Sequence, residues 1–122
     1  MFEVGCSTRF RAFHRMPDQP PPEDELHPHE YRVEVRAERE RLDDRGMVCD
    51  LDVLTASLDA VVDRLRERDV SEVCATDVVT VEVLAAWIVA ELTEPARGDG
   101  AEVLAVRVWE SDYAFGGVRE RL

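Results

Sequence analysis

Hydrophobic and polar positions alternate along the first third of the chain. In the first predicted strand, over residues 2–14, Phe10, Ala12 and His14 share one parity. In the second, predicted from about His27 to Arg39, the odd positions begin with two histidines and continue as aromatic or aliphatic residues, while the even positions are mostly charged. A period of two with one polar face is typical of a half-buried β-strand.

The middle of the chain changes to helical spacing. Apolar residues recur at intervals of three and four between Leu51 and Arg68, and Asp50 is the predicted N-cap of this helix. A second helix is predicted from about Val81 to Glu94, with Thr80 as its N-cap. We expect a proline and two glycines just after residue 94 to end that helix.

Two more strands follow, over residues 102–110 and 113–121, the last weakened by two adjacent glycines. The proline- and acid-rich segment 16–26 predicts a loop between the first two strands. The resulting order, β-β-α-α-β-β, favours an α+β fold with an antiparallel sheet and both helices on one face. We predict one domain over residues 1–122.

Composition narrows the function classes. The chain has 15 basic and 27 acidic residues, a formal net charge of −12. This balance argues against nucleic acid or an anionic membrane as a partner. No segment is predicted to span a membrane and the N-terminus has no signal pattern, so we expect a cytoplasmic protein. The three cysteines show no paired metal spacing and are predicted to be reduced.

All three histidines of the chain fall near one predicted hairpin end. His27 and His29 point to the same side of their strand, and His14 ends the strand before it. If the two strands pair, three imidazoles meet there. Three neutral imidazoles with an open fourth position form the ligand set of a catalytic zinc site. The alternative is three ordinary core histidines without a metal.

The pattern F-x-A-x-H, a loop and then H-x-H-x-Y resembles the 6-pyruvoyltetrahydropterin synthase and 6-carboxytetrahydropterin synthase family. Segments 46–54 (GMVCDLDVL), 80–88 (TVEVLAAWI) and 106–111 (VRVWES) are similar to further motifs of that family, in the same order. The resemblance therefore covers nearly the whole chain.

This resemblance implies the T-fold, in which trimeric barrels stack in pairs as hexamers with active sites between subunits. It implies that His14, His27 and His29 bind zinc. It also implies that Glu110, helped by Thr80 and Glu82, anchors the ring of a pterin-like small molecule. The parity of Glu110 with Val108 predicts that it ends an inward face, although an exposed strand end would also explain it. Glu82 would equally suit the first turn of any helix.

The sequence departs from the family at its proton-transfer residues. Glu23 stands where the family usually has a catalytic Cys, and Arg66 and Glu67 stand where it has an Asp and a His. The central glycine of H-G-H is Pro28, and the Asn of T-x-E-N is Val83.

A loop carboxylate, Glu23 or one of its acidic neighbours, is the candidate replacement base. The competing interpretation of this stretch is a solvated acidic loop. Cys74 is a second candidate for proton transfer, and an incidental thiol is the simpler explanation of it.

The sequence thus predicts a zinc-dependent, lyase-like enzyme that acts on a pterin- or purine-like substrate with altered chemistry, suited to specialised metabolism, and that forms a homo-oligomer. The alternative is a non-catalytic zinc- and pterin-binding T-fold protein. A third hypothesis is a structural oligomer that binds no metal.

Overall fold

The computed structural model describes residues 1–122 and shows four strands and three helices. In chain order these are β1 (Phe2–His14), β2 (His27–Arg39), α1 (Leu51–Asp63), α2 (Val70–Cys74), α3 (Val81–Gly98), β3 (Val103–Trp109) and β4 (Phe115–Arg121). The predicted α+β class is confirmed. No helix combines the length and the apolar character that crossing a membrane would require.

The sheet is an antiparallel meander in the order β1-β2-β3-β4. Its longest pairing joins β1 to β2 over all 13 residues of each strand, from Phe2 opposite Arg39 to His14 opposite His27. Directly opposite residues on paired strands share a face, and so do residues two positions apart on one strand. The pairing of His14 with His27 and of Ala12 with His29 therefore places all three histidines on one side of the hairpin end.

The helices cover one face of the sheet and enclose a core of 25 buried residues. The predicted apolar face of β2 lies within it, since Tyr31, Val33, Val35 and Ala37 are each no more than 2% exposed. The main helical contributors are Leu54, Leu58, Val61 and Val62 of α1 and Leu84, Ile88, Val89 and Leu92 of α3. The apolar face of the strands, with its period of two residues, and the apolar faces of the helices, with a period of about 3.6 residues, therefore pack into one core.

The two predicted N-caps are confirmed. The carboxylate of Asp50 accepts a hydrogen bond from the backbone N–H of Asp52 at 2.9 Å. The hydroxyl of Thr80 accepts one from the N–H of Val83 at 3.2 Å. Both side chains satisfy N–H groups that lack a partner in the first turn of a helix.

The predicted continuation of the first helix to Arg68 is wrong, because α1 ends at Asp63. The next residues pair instead with the free edge of β1: the Glu67 N–H donates to the Arg11 carbonyl, and the Phe13 N–H donates to the Arg68 carbonyl, both at 2.8 Å. Glu67 has a φ of 55°, which is incompatible with a continuing helix. Tertiary hydrogen bonding thus overrides the helical periodicity.

Several smaller features also differ from the sequence prediction. Cys74, expected in a loop, is the last residue of the short helix α2. Pro95, expected to end the second long helix, lies inside α3, which continues to Gly98. A proline removes only one donor from a helix, and in this last turn the remaining bonds, such as Ala101 N–H to the Ala96 carbonyl at 3.0 Å, still close the end. Strands β3 and β4 are slightly shorter than predicted.

The buried face of α1 can be tested with a matched pair of substitutions. Val62 is fully buried and Val53, on the same helix, is 43% exposed. We expect Val62→Ala to lower the free energy of unfolding by about 2 kcal/mol, because it removes buried methyl groups and leaves a cavity. Val53→Ala is expected to change it by much less. Urea unfolding at one protein concentration measures both, and equal losses would contradict the assigned face.

Candidate active site

A cavity of about 510 Å³ opens beside the histidine end of the β1–β2 hairpin. Its walls come from four parts of the chain: the hairpin end, the loop between β1 and β2, the start of α3 and the residues after β3. They are formed by His14, Met16, Glu23, His29, Tyr31, Val79, Thr80, Val81, Glu82, Glu110 and Ser111. Its volume suits a small molecule rather than a polymer.

The cavity brings together six of the seven site residues predicted from the sequence. These are His14, Glu23, His29, Thr80, Glu82 and Glu110. The seventh, His27, does not line the cavity but packs against His14 directly behind it. Residues separated by nearly 100 positions in the sequence are therefore neighbours here.

The three imidazole rings form one cluster. Ring centroids are 4.4 Å apart for His14 and His27, 4.7 Å for His14 and His29, and 6.2 Å for His27 and His29. The strand register causes this, since His14 lies opposite His27 and Ala12 lies opposite His29. The first two pairs meet edge to face, at interplanar angles of 63° and 82°.

Burial keeps the central ring of the cluster uncharged. His14 is only 8% exposed. This desolvation, followed by the nearby His29 and His27 rings, lowers the pKa of His14 to about 4. At neutral pH the ring is therefore a neutral imidazole with a free lone pair, which is the form that binds a metal.

Several nitrogens of the cluster have no hydrogen-bond partner. Both ring nitrogens of His14 and Nδ1 of His29 are buried and unpaired. Buried polar atoms without partners are costly, and a cation bound among them would satisfy their lone pairs. As the side chains stand, no group of three His, Cys, Asp or Glu residues is arranged to hold a metal ion. The backbone register brings the three rings close together. Their side chains would have to rotate for one nitrogen of each ring to point at a common metal ion.

His27 already has the hydrogen bond that orients a metal-binding histidine. Its Nδ1 lies 2.7 Å from the carbonyl oxygen of Glu25, which can only accept, so Nδ1 carries the proton. In the neutral ring the lone pair is then on Nε2, and this atom lies 3.7 Å from a carboxylate oxygen of Glu23. A backbone carbonyl on the second nitrogen is a usual partner of histidine ligands. The donor set thus fits zinc in its chemistry.

The loop between β1 and β2 positions Glu23 over the cluster. The Met16 N–H donates to the Glu23 carbonyl at 2.7 Å, and the Glu23 N–H donates to the Pro20 carbonyl at 3.1 Å. These bonds fold the loop back on itself beside the end of β1. The Glu23 side chain is still 55% exposed, so it reaches both the cavity and solvent.

The start of α3 supplies Thr80 and Glu82. The hydroxyl of Thr80 caps the helix, so one of its lone pairs is already used. Glu82 lies in the first turn, is exposed and lines the cavity. A carboxylate there also interacts favourably with the helix dipole, so the site and the helix both account for it.

Glu110 lines the cavity, but not as the sequence predicted. It lies one residue beyond the end of β3 and is exposed rather than buried at the end of an inward face. Its N–H donates to the Ala114 carbonyl at 3.1 Å, which closes the connection to β4. The chain leaves the strand at this point, and parity no longer determines the direction of the side chain.

Sequence analysis did not assign a role to five residues of the cavity wall. They are Met16, Tyr31, Val79, Val81 and Ser111. Tyr31 could have been found from its parity, because it follows His27 and His29 on the same face. Its ring stacks on Phe10 at 5.2 Å and on His29 at 4.9 Å. Burial, with a contribution from nearby Glu110, raises the pKa of Tyr31, which therefore remains a neutral phenol.

The residues at the family's Asp-His position do not reach the cavity. Arg66 donates to the Asp63 carboxylate at 2.9 Å and to the Arg9 carbonyl at 3.1 Å. Glu67 lies 3.6 Å from the guanidinium of Arg11. Neither residue lines the cavity wall. Cys74 does not line it either, and burial raises the pKa of its thiol to about 11, so it stays protonated at neutral pH.

The cavity wall is acidic, with three carboxylates and no arginine. Arg15, which follows β1, lies in a neighbouring cavity of about 380 Å³ together with Asp24 and Asp77. The wall therefore favours the part of a ligand that offers several N–H donors.

Comparisons with known proteins identify the family and the fold of the chain. The family model described as 6-pyruvoyl tetrahydropterin synthase matches residues 3–121. The chain is 20% identical to the solved Caenorhabditis elegans 6-pyruvoyl tetrahydropterin synthase, with a TM-score of 0.74 over 98% of this chain and 95% of that one. No curated protein matches the sequence significantly.

A Plasmodium vivax 6-pyruvoyltetrahydropterin synthase, solved with a catalytic glutamate replaced by alanine, is 15% identical. It superimposes with a TM-score of 0.81 over 99% of this chain and 98% of that chain. At such identities the likeness establishes the fold, which is the T-fold. Since the family model spans almost every residue, the chain belongs to the 6-pyruvoyl tetrahydropterin synthase family, of which it is a divergent member.

Proposed function

We propose that this protein is a zinc-dependent, lyase-like enzyme that acts on a pterin- or purine-like small molecule by chemistry different from that of its relatives. One observation carries the proposal: three imidazoles cluster around the buried His14, and several of their nitrogens lack partners. This cluster adjoins a cavity that a loop carboxylate and two further carboxylates also line. A metal-binding set, a candidate base and ring-binding acceptors are therefore within one small space.

His14, His27 and His29 would hold the metal. Bound there, zinc would act as a Lewis acid toward a hydroxyl or carbonyl oxygen of the substrate. The neutral state of His14 and the carbonyl partner of His27 prepare two of these ligands in advance. The strand pairing holds all three at the hairpin end.

Glu110 would bind the ring of the substrate, helped by Glu82 and Thr80. Two neighbouring N–H groups of a pterin or guanine-like ring match the two oxygens of a carboxylate. A second carboxylate in the same wall increases the preference for a donor-rich edge. The hydroxyl of Thr80 can still donate one hydrogen bond while it caps α3.

Glu23 would accept a proton from the side chain of the bound substrate on one carboxylate oxygen. Support comes from its position 3.7 Å from His27 and in the cavity wall. In the Plasmodium vivax relative a glutamate is also a catalytic residue. Neither Arg66 nor Glu67 lines the cavity wall, which leaves the loop carboxylate as the candidate base.

We propose that the working form is a homo-oligomer built on trimers, as a hexamer. Three features support association: the outer edge of β4, the outer edge of β1 before Arg11, and exposed apolar side chains such as Phe2 and Tyr113, which are 51% and 93% exposed.

The metal proposal is tested by elemental analysis of the purified protein. We expect about one zinc per chain, because three imidazoles provide the ligands of one open site. The double substitution His27→Ala and His29→Ala should abolish binding. Glu30→Ala, on the opposite face of the same strand, is the matched control and should retain the metal. Absence of zinc from the native protein, even after zinc is supplied, would remove the basis of the enzyme proposal.

The proposed base is tested by Glu23→Gln. We expect turnover to fall by about 100-fold or more, since the amide cannot accept the proton. Zinc content and pterin affinity should be unchanged. Glu25→Gln, in the same loop but outside the cavity wall, should retain activity. Turnover is measured on a panel of pterins and purines that includes dihydroneopterin triphosphate, and equal activity of the two variants would exclude Glu23 as the base.

The ring-binding role is tested by Glu110→Ala. Loss of two charge-assisted hydrogen bonds should weaken neopterin binding by about tenfold or more. Asp112→Ala, two residues along and absent from the cavity wall, serves as the control. Fluorescence titration of neopterin measures both dissociation constants. Unchanged affinity in the Glu110 variant would show that the ring binds elsewhere.

A second candidate function is a binding protein that retains zinc and the pocket without turnover. The surface placement of Arg66 and Glu67, at the position of the family's relay, is the observation that favours it. Native protein that binds zinc and neopterin but consumes no pterin or purine of the panel would establish this alternative.

A further inference from the structure

Gly116 lies in β4 where the start of α3 packs against the sheet. It pairs with Val108 and therefore faces the helices, since Val108 is fully buried on that side. A Cβ built at this position would lie 2.7 Å from Cγ2 of Val81, 2.8 Å from Oε1 of Glu82 and 3.1 Å from Cγ of Glu82. All three atoms belong to two consecutive residues of the cavity wall.

These distances mean that no larger residue fits at position 116 without displacing a neighbour. Val81 is β-branched and packs against the core, so its side chain has little freedom to move. The Glu82 carboxylate is the far end of a long, exposed side chain, so it is displaced more readily than Val81, whose Cγ2 must also shift slightly. The absence of a side chain at Gly116 thus creates the space in which the Glu82 carboxylate lies against β4.

We propose that Gly116 is a positioning residue for the ligand site: it holds the Glu82 carboxylate in the cavity wall by leaving the space that this carboxylate occupies. The inference rests on the proposed function, because it assigns Glu82 to ligand binding. Gly116 itself does not line the cavity. The atoms nearest to a Cβ at Gly116 all belong to the start of α3, which carries Glu82. A glycine needed only for packing would affect stability and not ligand recognition.

The physical gain is preorganisation. An exposed glutamate otherwise loses side-chain conformational entropy when it binds a ligand, and this cost weakens affinity. Contact of the Glu82 carboxylate with the β4 backbone, which only a glycine at position 116 allows, restricts this side chain and reduces that cost before the ligand arrives. An alanine at this position fills that space and turns the carboxylate away from the ligand.

The test is a double-mutant cycle on neopterin affinity, with Gly116→Ala, Glu82→Ala and the combined variant. We expect each single substitution to weaken binding by about tenfold, and the combined variant to be no weaker than Glu82→Ala alone. Gly98→Ala is the matched control, because a Cβ there meets no atom within 4 Å. Unchanged affinity in Gly116→Ala, or losses that multiply in the combined variant, would overturn the inference.

A second variant keeps the inference testable if Gly116→Ala fails to fold. Glu82→Asp retains the charge but withdraws the carboxylate from the space beside Gly116, so we expect it to weaken neopterin binding nearly as much as Glu82→Ala. Full retention of neopterin affinity in Glu82→Asp would show that the position of the carboxylate does not matter for binding. If Glu82→Ala has no effect, both the ring-binding assignment and the positioning role are wrong. If only Gly116→Ala has no effect, the positioning role alone is wrong.

Discussion

The pairing of β1 with β2 is the interaction on which the rest of the structure depends. Its 13-residue register carries the histidines to one end and one face of the sheet. A slip of one residue would turn one strand over relative to the other and separate His14 from His27 and His29. The same register buries Tyr31 and the aliphatic residues that follow it, so the forces that form the core also assemble the candidate metal ligands. Stability and the site cannot be separated at this hairpin.

The free edge of β1 determines the path of the chain after α1. Residues 64–69 leave the helical path and form hydrogen bonds with this edge. Arg66 and Glu67 take part through contacts with Arg9 and Arg11. This segment therefore contributes to a structural contact and not to the cavity wall. The acidic loop before β2, held back on itself by its own hydrogen bonds, is then the part of the site in which new chemistry is expected.

The electrostatics of the cavity connect the metal hypothesis to the ligand hypothesis. Three carboxylates line a cavity beside a cluster whose central imidazole is kept neutral by burial. This leaves a surplus of negative charge and several unpaired nitrogens in one place. A divalent cation would offset the negative charge and bind lone pairs of the nitrogens. A donor-rich ring would donate hydrogen bonds to the carboxylates.

The sequence by itself determined the four strands and two long helices, the two N-caps, the inward face of β2 and the convergence of the histidines, because these follow from local periodicity and from strand pairing. It also carried the family motifs that singled out Glu82 and Glu110. It did not predict the short helix α2. Only the tertiary structure decided where α1 ends, since contacts with β1 outweigh the helical pattern. It alone showed that Glu110 is exposed where the chain leaves β3. It alone also showed that Gly116 of β4 leaves space for side chains of α3. Gly116 is explained by the side chains of α3 packed above it, a contact between residues more than 30 positions apart that no local pattern encodes.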